Sequence, residues 1–145
     1  MTVGGQAATS VVTNSVLSLT ISTPALSAGT YDVVVTNPGG SGTLTTAFTT
    51  LIPQTITFTS SAPSNAVANG ASYTVTATGG ASGNAVTLSS TTSGVCTLNG
   101  STFTFLTTGT CTVKADQAGN STYSAAPQAT QSWTCLLYTS PSPRD

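Results

Sequence analysis

The sequence lacks His and Glu, and charged residues make up only 3% of its 145 positions. The ionic side chains that remain are Asp32, Asp116, Asp145, Lys114 and Arg144. Proton transfer in enzymes is carried out by His, carboxylate, Lys, Tyr or Cys groups whose pKa lies near the working pH, and a Ser or Thr nucleophile needs a neighbouring base. We therefore expect no enzymatic activity, no catalytic residue and no cofactor.

The scarcity of charge also restricts the partners. A net charge of −1 provides neither a basic surface for nucleic acid nor an acidic field for cations. No apolar run approaches the roughly 20 residues of a membrane helix, and the N-terminus lacks the basic and apolar regions of a signal peptide. We expect no nucleic-acid partner, no membrane insertion and no export signal within this chain.

Apolar residues alternate with Thr and Ser, which is the period of a β-strand with one buried face, and helical periodicity is absent. In the first part of the chain, turns rich in Gly, Ser or Pro separate three such runs. Their inward-facing positions are Leu17, Leu19, Ile21, Tyr31, Val33, Val35, Leu44, Thr46 and Phe48. Pro53 then interrupts the pattern, so we place a domain boundary between residues 52 and 53.

A second series of alternating runs follows Pro53. Its inward-facing candidates are Ile56, Phe58, Tyr73, Val75, Ala77, Val86, Leu88, Cys96, Leu98, Phe103, Phe105, Cys111, Val113, Ala115 and Trp133. Short strands with turn signals between them are typical of β-sandwiches. The predicted fold class is all-β, with two tandem β-sandwiches at residues 1–52 and 53–134.

One hairpin can be placed in register, because Asn99-Gly100 is the dipeptide that a two-residue type I′ turn prefers. This turn sets Leu98 opposite Ser101 and Cys96 opposite Phe103. Alternation then predicts which side chains of the hairpin and of the next strand face the core together. They are Cys96, Leu98, Phe103, Phe105 and Cys111.

Residues 2–48 resemble the later part of an IPT/TIG domain, an immunoglobulin-like fold, in the stretches TVGGQAATSV and LSAGTYDVVVTNPGGSGTLTTAFT. Such domains have further strands ahead of the VGG segment. The resemblance therefore implies that the first domain is truncated at its N-terminus and marginally stable alone. Inward residues such as Val33, Val35 and Leu44 would then be exposed.

Residues 54–133 resemble a bacterial immunoglobulin-like (Big-type) repeat of surface and secreted proteins, in the stretches SGVCTLNGSTFTF, TGTCTVKADQAGNSTY and SAAPQATQSW. The resemblance implies tandem, extracellular, non-catalytic modules whose partners are neighbouring repeats of the same parent chain. The implied fold is then two tandem immunoglobulin-like β-sandwiches.

The final segment, CLLYTSPSPRD at residues 135–145, fits neither pattern and does not continue the strand that contains Trp133. It resembles the translation of a transposase-based sequencing adapter read in one frame; a natural Pro/Ser-rich tail is the alternative. Segments of non-native origin are set aside before the fold is considered. On this interpretation, deleting residues 135–145 leaves the stability of the second domain unchanged.

If Cys135 belongs to that segment, the three cysteines reduce to the pair Cys96 and Cys111. An oxidising compartment favours a disulfide between them, which would contribute about 3 kcal/mol by closing a short loop. Two buried free thiols are the alternative. A metal site is poorly supported, because it would have to be built without His.

The remaining candidate residues have structural explanations. Lys114 and Asp116 alternate with inward residues, so both are expected to point into solvent; an isopeptide crosslink would require a buried Lys. Asp116 and Asn120 are too few for a Ca²⁺ site, and turn chemistry explains them better. Tyr123 is expected to cap the loop before the last strand and Trp133 to pack in the core, with glycan binding by an exposed Tyr123 as the alternative.

The function expected from these patterns is a structural spacer or stalk in a large secreted or cell-surface bacterial protein resembling an adhesin. The alternative is a carbohydrate- or protein-binding accessory module of a secreted protein such as a glycoside hydrolase. A binding module of that kind needs exposed aromatic residues grouped on one face. Only 6% of the residues are aromatic, and most alternate inward, which favours the spacer.

The predicted disulfide is tested by peptide mapping under non-reducing conditions. We expect Cys96 and Cys111 in one linked peptide, with a gain in mass of two hydrogens when the bond is reduced. Recovery of both peptides separately, each alkylated without prior reduction, would support the alternative of two free thiols.

Overall fold

The computed structural model of the chain describes residues 1–15 and 18–137. All regular structure in those residues is β-strand, and within them no helix of the length and apolarity needed to cross a bilayer is present. The chain divides into two compact units, Met1–Ile52 and Pro53–Asp145, called unit 1 and unit 2 below. The all-β fold class predicted from the alternating pattern is confirmed.

Unit 1 contains a four-stranded sheet and a separate hairpin. Its strands are β1 (Thr2–Val3), β2 (Gln6–Ala7), β3 (Ser10–Ser15), β4 (Ser18–Ser22), β5 (Gly29–Asn37) and β6 (Gly40–Thr50). The sheet has the order β2-β1-β5-β6, and β3 pairs with β4. All these pairings are antiparallel.

Unit 1 buries little apolar surface. Val3 is its one fully buried hydrophobic side chain among the described residues. Leu44 is 66% exposed and Val35 is 37% exposed, while Val33 is half-buried. Exposure of Val35 and Leu44 is the result expected above. Leu17, another predicted inward position, lies outside the described residues.

Strand β6 contains a bulge. The pairing register between β5 and β6 shifts between Tyr31 and Val33, which leaves residues 45–47 opposite Asp32 alone. Thr46 has a φ of 52°, a rare conformation for a β-branched residue, and its backbone N–H donates to Asp32 Oδ1 at 2.8 Å. The regular alternation predicted through Thr46 is therefore wrong, because the bulge inserts extra residues there.

Unit 2 contains short strands in two layers. They are β7 (Thr57–Phe58), β8 (Ala66–Val67), β9 (Tyr73–Thr74), β10 (Ala77–Thr78), β11 (Val86–Ser90), β12 (Cys96–Asn99), β13 (Thr102–Phe105), β14 (Gly109–Gln117) and β15 (Ala129–Leu136). One layer is the sheet β11-β14-β15-β8, and the other comprises β12-β13-β9 and the pair β10-β7. All pairings are antiparallel except that of β8 with β15.

A continuous hydrophobic core lies between these layers. Its buried members are Ala66, Val75, Cys96, Phe103, Phe105, Cys111, Val113, Trp133 and Cys135. Every inward candidate predicted for this part of the chain is buried or half-buried. Alternation therefore predicted the core faces of these strands correctly.

The predicted register of the β12–β13 hairpin is wrong. Asn99 pairs with Thr102, so the two loop residues are Gly100 and Ser101 rather than Asn99 and Gly100. Gly100 has a φ of 62°, whereas neither neighbour has a positive φ. Glycine at the first loop position with positive φ is the type II′ arrangement, while type I′ needs positive φ at both positions.

The error in register does not change which side chains share a face, because the pairing moves by an even number of residues. The pairs across the hairpin are Cys96 with Phe105 and Leu98 with Phe103. The predicted pairs, Cys96 with Phe103 and Leu98 with Ser101, are replaced by these.

The strand that contains Trp133 continues into the segment set aside above. Cys135 is 1% exposed and pairs with Gly109 on one side and Ala66 on the other. Leu136 pairs with Val67. The expectation that residue 135 lies beyond the strand is therefore wrong, because the parallel pairing with β8 extends β15; residues 138–145 lie outside the described part of the chain.

Ending the chain after Thr134 is expected to destabilise unit 2, instead of leaving it unchanged. The loss should be about 2–4 kcal/mol relative to a chain that ends at Leu137, since the core loses a buried side chain and the Ala68 N–H loses its acceptor, Leu136 O, at 2.9 Å. Urea unfolding followed by the fluorescence of Trp133 measures this difference. Equal midpoints for the two chains would contradict the prediction.

Candidate functional site

A disulfide joins the two layers of unit 2. Cys96 on β12 and Cys111 on β14 are bonded, with their Cα atoms 5.9 Å apart, a usual separation for a disulfide. The Thr92 hydroxyl lies 3.5 Å from Cys96 Sγ. The pairing predicted from the sequence is confirmed, and the crosslink fixes the distance between the layers at the centre of the core.

Trp133 packs beside this crosslink. It lies opposite Cys111 in the β14–β15 register and makes edge-to-face contacts with three other rings. The ring centroids of Tyr73, Phe103 and Phe105 lie 5.1, 5.2 and 6.2 Å from it. Each such contact stabilises the core by about 1 kcal/mol beyond simple burial.

Cys135 is a free, buried thiol next to this ring cluster. Burial raises the pKa of the Cys135 thiol. The indole Nε1 of Trp133 is itself buried without a hydrogen-bond partner among the described residues. The thiol therefore stays protonated at neutral pH and packs as a small apolar group.

Tyr73 connects the two layers through its hydroxyl. That oxygen lies 2.7 Å from Ser60 Oγ and 3.1 Å from Gln131 Oε1. Gln131 Nε2 donates to Ser60 O at 3.0 Å, and the Thr76 N–H donates to Ser60 Oγ at 2.9 Å. The Tyr73 hydroxyl at the edge of the core is thus held by hydrogen bonds to neutral partners.

Gln117 is a buried amide at the far end of β14, with an exposure of 4%. Its Oε1 accepts from the Gly80 N–H at 2.7 Å. Its Nε2 donates to Asn84 O at 2.8 Å and to Gly80 O at 3.3 Å. One side chain therefore satisfies backbone groups of the whole connection between β10 and β11.

Gln54 is a second buried amide, with an exposure of 6%. Its Oε1 accepts from the Ser82 N–H at 3.0 Å, and its Nε2 donates to Ala118 O at 3.2 Å. Asn84 Nδ2 also donates to Ala118 O, at 3.0 Å. Gln54, Asn84 and Gln117 form what we call the amide cluster, which fixes the loops at one end of unit 2.

Two glycines allow this cluster to pack closely. A Cβ atom at Gly79 would lie 2.5 Å from Gln117 Nε2, and one at Gly80 would collide with the side chain of Gln54. A side chain at either position would force one of these glutamines to shift and would disturb the amide cluster. The Gly79-Gly80 dipeptide therefore allows a close approach of backbone to side-chain amides.

The charged residues of β14 take no part in the core. Lys114 and Asp116 lie on the opposite face from Val113 and Ala115 and are half-buried. Gln128 Nε2 donates to both carboxylate oxygens of Asp116, at 2.8 and 3.1 Å. In residues 1–15 and 18–137, no group of three His, Cys, Asp or Glu side chains could hold a metal ion.

Asn120 and Tyr123 form a turn between β14 and β15. Asn120 Oδ1 accepts from the backbone N–H groups of Thr122 and Tyr123, at 2.8 Å each, and the Asn120 N–H donates to Tyr123 O at 2.8 Å. Turn chemistry therefore accounts for Asn120. Tyr123 is half-buried in this loop.

An open pocket of approximately 620 Å³ lies at the edge of unit 2, lined by Pro63, residues 65–73 and Phe105. Its volume falls within the usual range for small-molecule sites. The rim contains the exposed side chains of Asn65, Asn69 and Ser72, and the walls are apolar or aromatic. This pocket is the candidate binding site of the chain.

The amide cluster and the pocket were not predicted from the sequence. Gln117 continues the inward alternation of Cys111, Val113 and Ala115, so the alternation in β14 was sufficient to predict that Gln117 is buried. For Gln54 and for the pocket rim at residues 63–73 no such signal existed, because their surroundings come from distant segments.

Comparison with known proteins gives no identification. No family model matches the chain, and no curated protein and no solved structure is significantly similar to it. The resemblances described under Sequence analysis therefore stay predictions. Function has to be argued from the geometry of the crosslinked core, the amide cluster and the pocket.

Replacing Gln117 by Leu is expected to destabilise unit 2 by about 3 kcal/mol, because the volume is kept while the Gly80 N–H and Asn84 O lose their partners. The matched control is Gln128→Leu on the exposed surface, which should change stability by no more than about 0.5–1 kcal/mol. Urea unfolding monitored by Trp133 fluorescence distinguishes the two. Similar losses in both variants would contradict a special role for Gln117.

Proposed function

We propose that this chain is a structural, non-catalytic spacer segment of a large secreted or cell-surface bacterial protein. The observation that carries the proposal is the Cys96–Cys111 disulfide between the two layers of unit 2. A crosslink through the core limits how far the unit can extend under load. Such a limit suits a module whose task is to keep other domains at a distance.

The architecture that we propose for unit 2 is an immunoglobulin-like sandwich. Seven-stranded immunoglobulin domains pair strands A, B, E and D in one sheet and C, F and G in the other. In unit 2, β7 pairs with β10, and both β9 and β12 pair with β13, which is the pairing expected in the first sheet. The strand order β11-β14-β15 is the one expected in the second sheet. Unit 1 is proposed to be part of an IPT/TIG-like domain.

Unit 2 departs from antibody domains in two respects. The disulfide joins the strands equivalent to D and F instead of B and F, and the buried Trp133 lies on the last strand instead of the third. The proposal therefore concerns the sandwich architecture and not membership of the antibody family.

An extracellular location is part of the same proposal. Disulfides form and persist in oxidising compartments, and the neutral composition, with a net charge of −1, does not attract nucleic acid. The partners would be neighbouring modules of the same parent chain. Tandem copies would add length without adding charge.

The second candidate function is a binding module attached to a secreted protein, such as a glycoside hydrolase. The observation that favours it is the open pocket lined by Pro63, residues 65–73 and Phe105. A spacer does not need a pocket, and a pocket does not prevent a module from acting as a spacer. The two functions are therefore compatible and can be tested separately.

Force spectroscopy of the full chain, held at its two termini, tests the spacer. Oxidised unit 2 is expected to unfold in one discrete step and to refold on relaxation. Reduction should lengthen that step by about 50 Å, because the crosslinked cysteines are 15 residues apart and an extended residue spans at most ~3.6 Å.

The Cys96→Ser/Cys111→Ser double variant provides the matched control. It should show the longer step without any reductant, and adding reductant should not lengthen the step further. A gradual, featureless extension of the oxidised chain would contradict a mechanical role. Equal step lengths before and after reduction would show that the disulfide does not limit extension.

A further inference from the structure

The pocket at the edge of unit 2 has a fixed rim. The Ala68 N–H donates to Leu136 O on β15, and the Asn69 N–H donates to Phe105 O on β13, each at 2.9 Å. Gly70 donates to Val67 O at 2.9 Å. The loop is therefore attached to both layers of the unit, and the pocket is formed before any ligand arrives.

Two amides on this rim are unused by the protein. The side chains of Asn65 and Asn69 are exposed and form no hydrogen bond with any other described residue. At the opposite end of the unit, Asn84 donates to Ala118 O and Gly119 O, and Asn120 donates to Ser82 O at 2.9 Å. Within the part of unit 2 that the structure describes, the pocket rim thus presents a pair of asparagine amides whose donors and acceptors are available to a ligand.

Among residues 1–15 and 18–137, no ionisable group that could bind a charged ligand lines the pocket. Its one titratable lining residue is Tyr73, whose hydroxyl is engaged by Ser60 and Gln131. The remaining surface is apolar, aromatic, backbone or neutral polar. A charged ligand would lose hydration here without gaining an opposite charge.

We propose that this pocket binds a neutral saccharide of one or two sugar units. A sugar ring has an apolar C–H face, which matches the half-buried walls at Pro63, Val67 and Tyr73, and a rim of hydroxyl groups, which matches Asn65, Asn69 and Ser72. Its lack of charge matches the lining. This binding rests on the second candidate function proposed above and is independent of the spacer role.

The proposal is tested by NMR titration of the full, isotope-labelled chain with cellobiose, maltose and N,N′-diacetylchitobiose in the millimolar range. At least one of these sugars is expected to give saturable shifts centred on the backbone amides of residues 65–73. The Asn65→Ala and Asn69→Gly variants should each raise the dissociation constant of the sugar about fivefold, since each removes about one hydrogen bond.

The choice of Gly at position 69 keeps the backbone intact. Asn69 has a φ of 58°, a conformation that Gly adopts without strain, so this variant removes the amide and little else. Asn99→Ala is the control, because Asn99 is an exposed amide at the end of β12 in the same unit. It should leave the sugar affinity unchanged.

Three outcomes would overturn the proposal. The first is the absence of saturable shifts with all three sugars. The second is binding that Asn65→Ala and Asn69→Gly leave unaltered. The third is saturable binding, at the same amides, of an uncharged Ala/Thr tetrapeptide but of no sugar, which would assign the pocket to peptides. None of these outcomes affects the force experiment, so the spacer proposal stands or fails separately.

Discussion

The register of β14 (Gly109–Gln117) is the constraint on which the rest of unit 2 depends. Its inward side chains perform different tasks in succession: Cys111 is bonded to β12, Val113 and Ala115 fill the core, and Gln117 holds the loop between β10 and β11. A slip of one residue would turn all of them toward solvent. The disulfide and the amide cluster lie toward opposite ends of β14, and each of them independently holds the strand in this register.

Neutral amide side chains, instead of charged groups, form the buried side-chain hydrogen bonds that hold the loops of unit 2. A buried carboxylate or ammonium group would carry a large desolvation penalty, whereas a buried Gln is stabilised when its donors and acceptors are all paired. Gln117 meets this condition with backbone partners, and Gln54 pairs its oxygen and one amide hydrogen with backbone groups. Because none of these groups titrates near neutral pH, we expect the loop architecture to be insensitive to pH over the physiological range.

The sequence predicted the features that depend on local alternation and missed those that depend on distant partners. The inward faces around Cys96, Phe103 and Cys111 follow from period two, whereas the pairing of the two cysteines was predicted by assigning Cys135 to the final segment. The type II′ turn at Gly100 was missed because the dipeptide preference does not fix which residues occupy the loop. The end of β15 was missed because Cys135 pairs with β8, far away in the sequence, and the pocket rim was missed for the same reason.

The bulge around Thr46 has a consequence for tandem copies of this chain. Strand β6 is the edge of its sheet, spans 11 residues and contains no charged residue, so a straight β6 would be a template for pairing with the same strand of a neighbour. The bulge redirects the strand near its middle. An incoming strand from another copy of the chain can therefore follow only a short part of the edge, which limits sheet formation between copies.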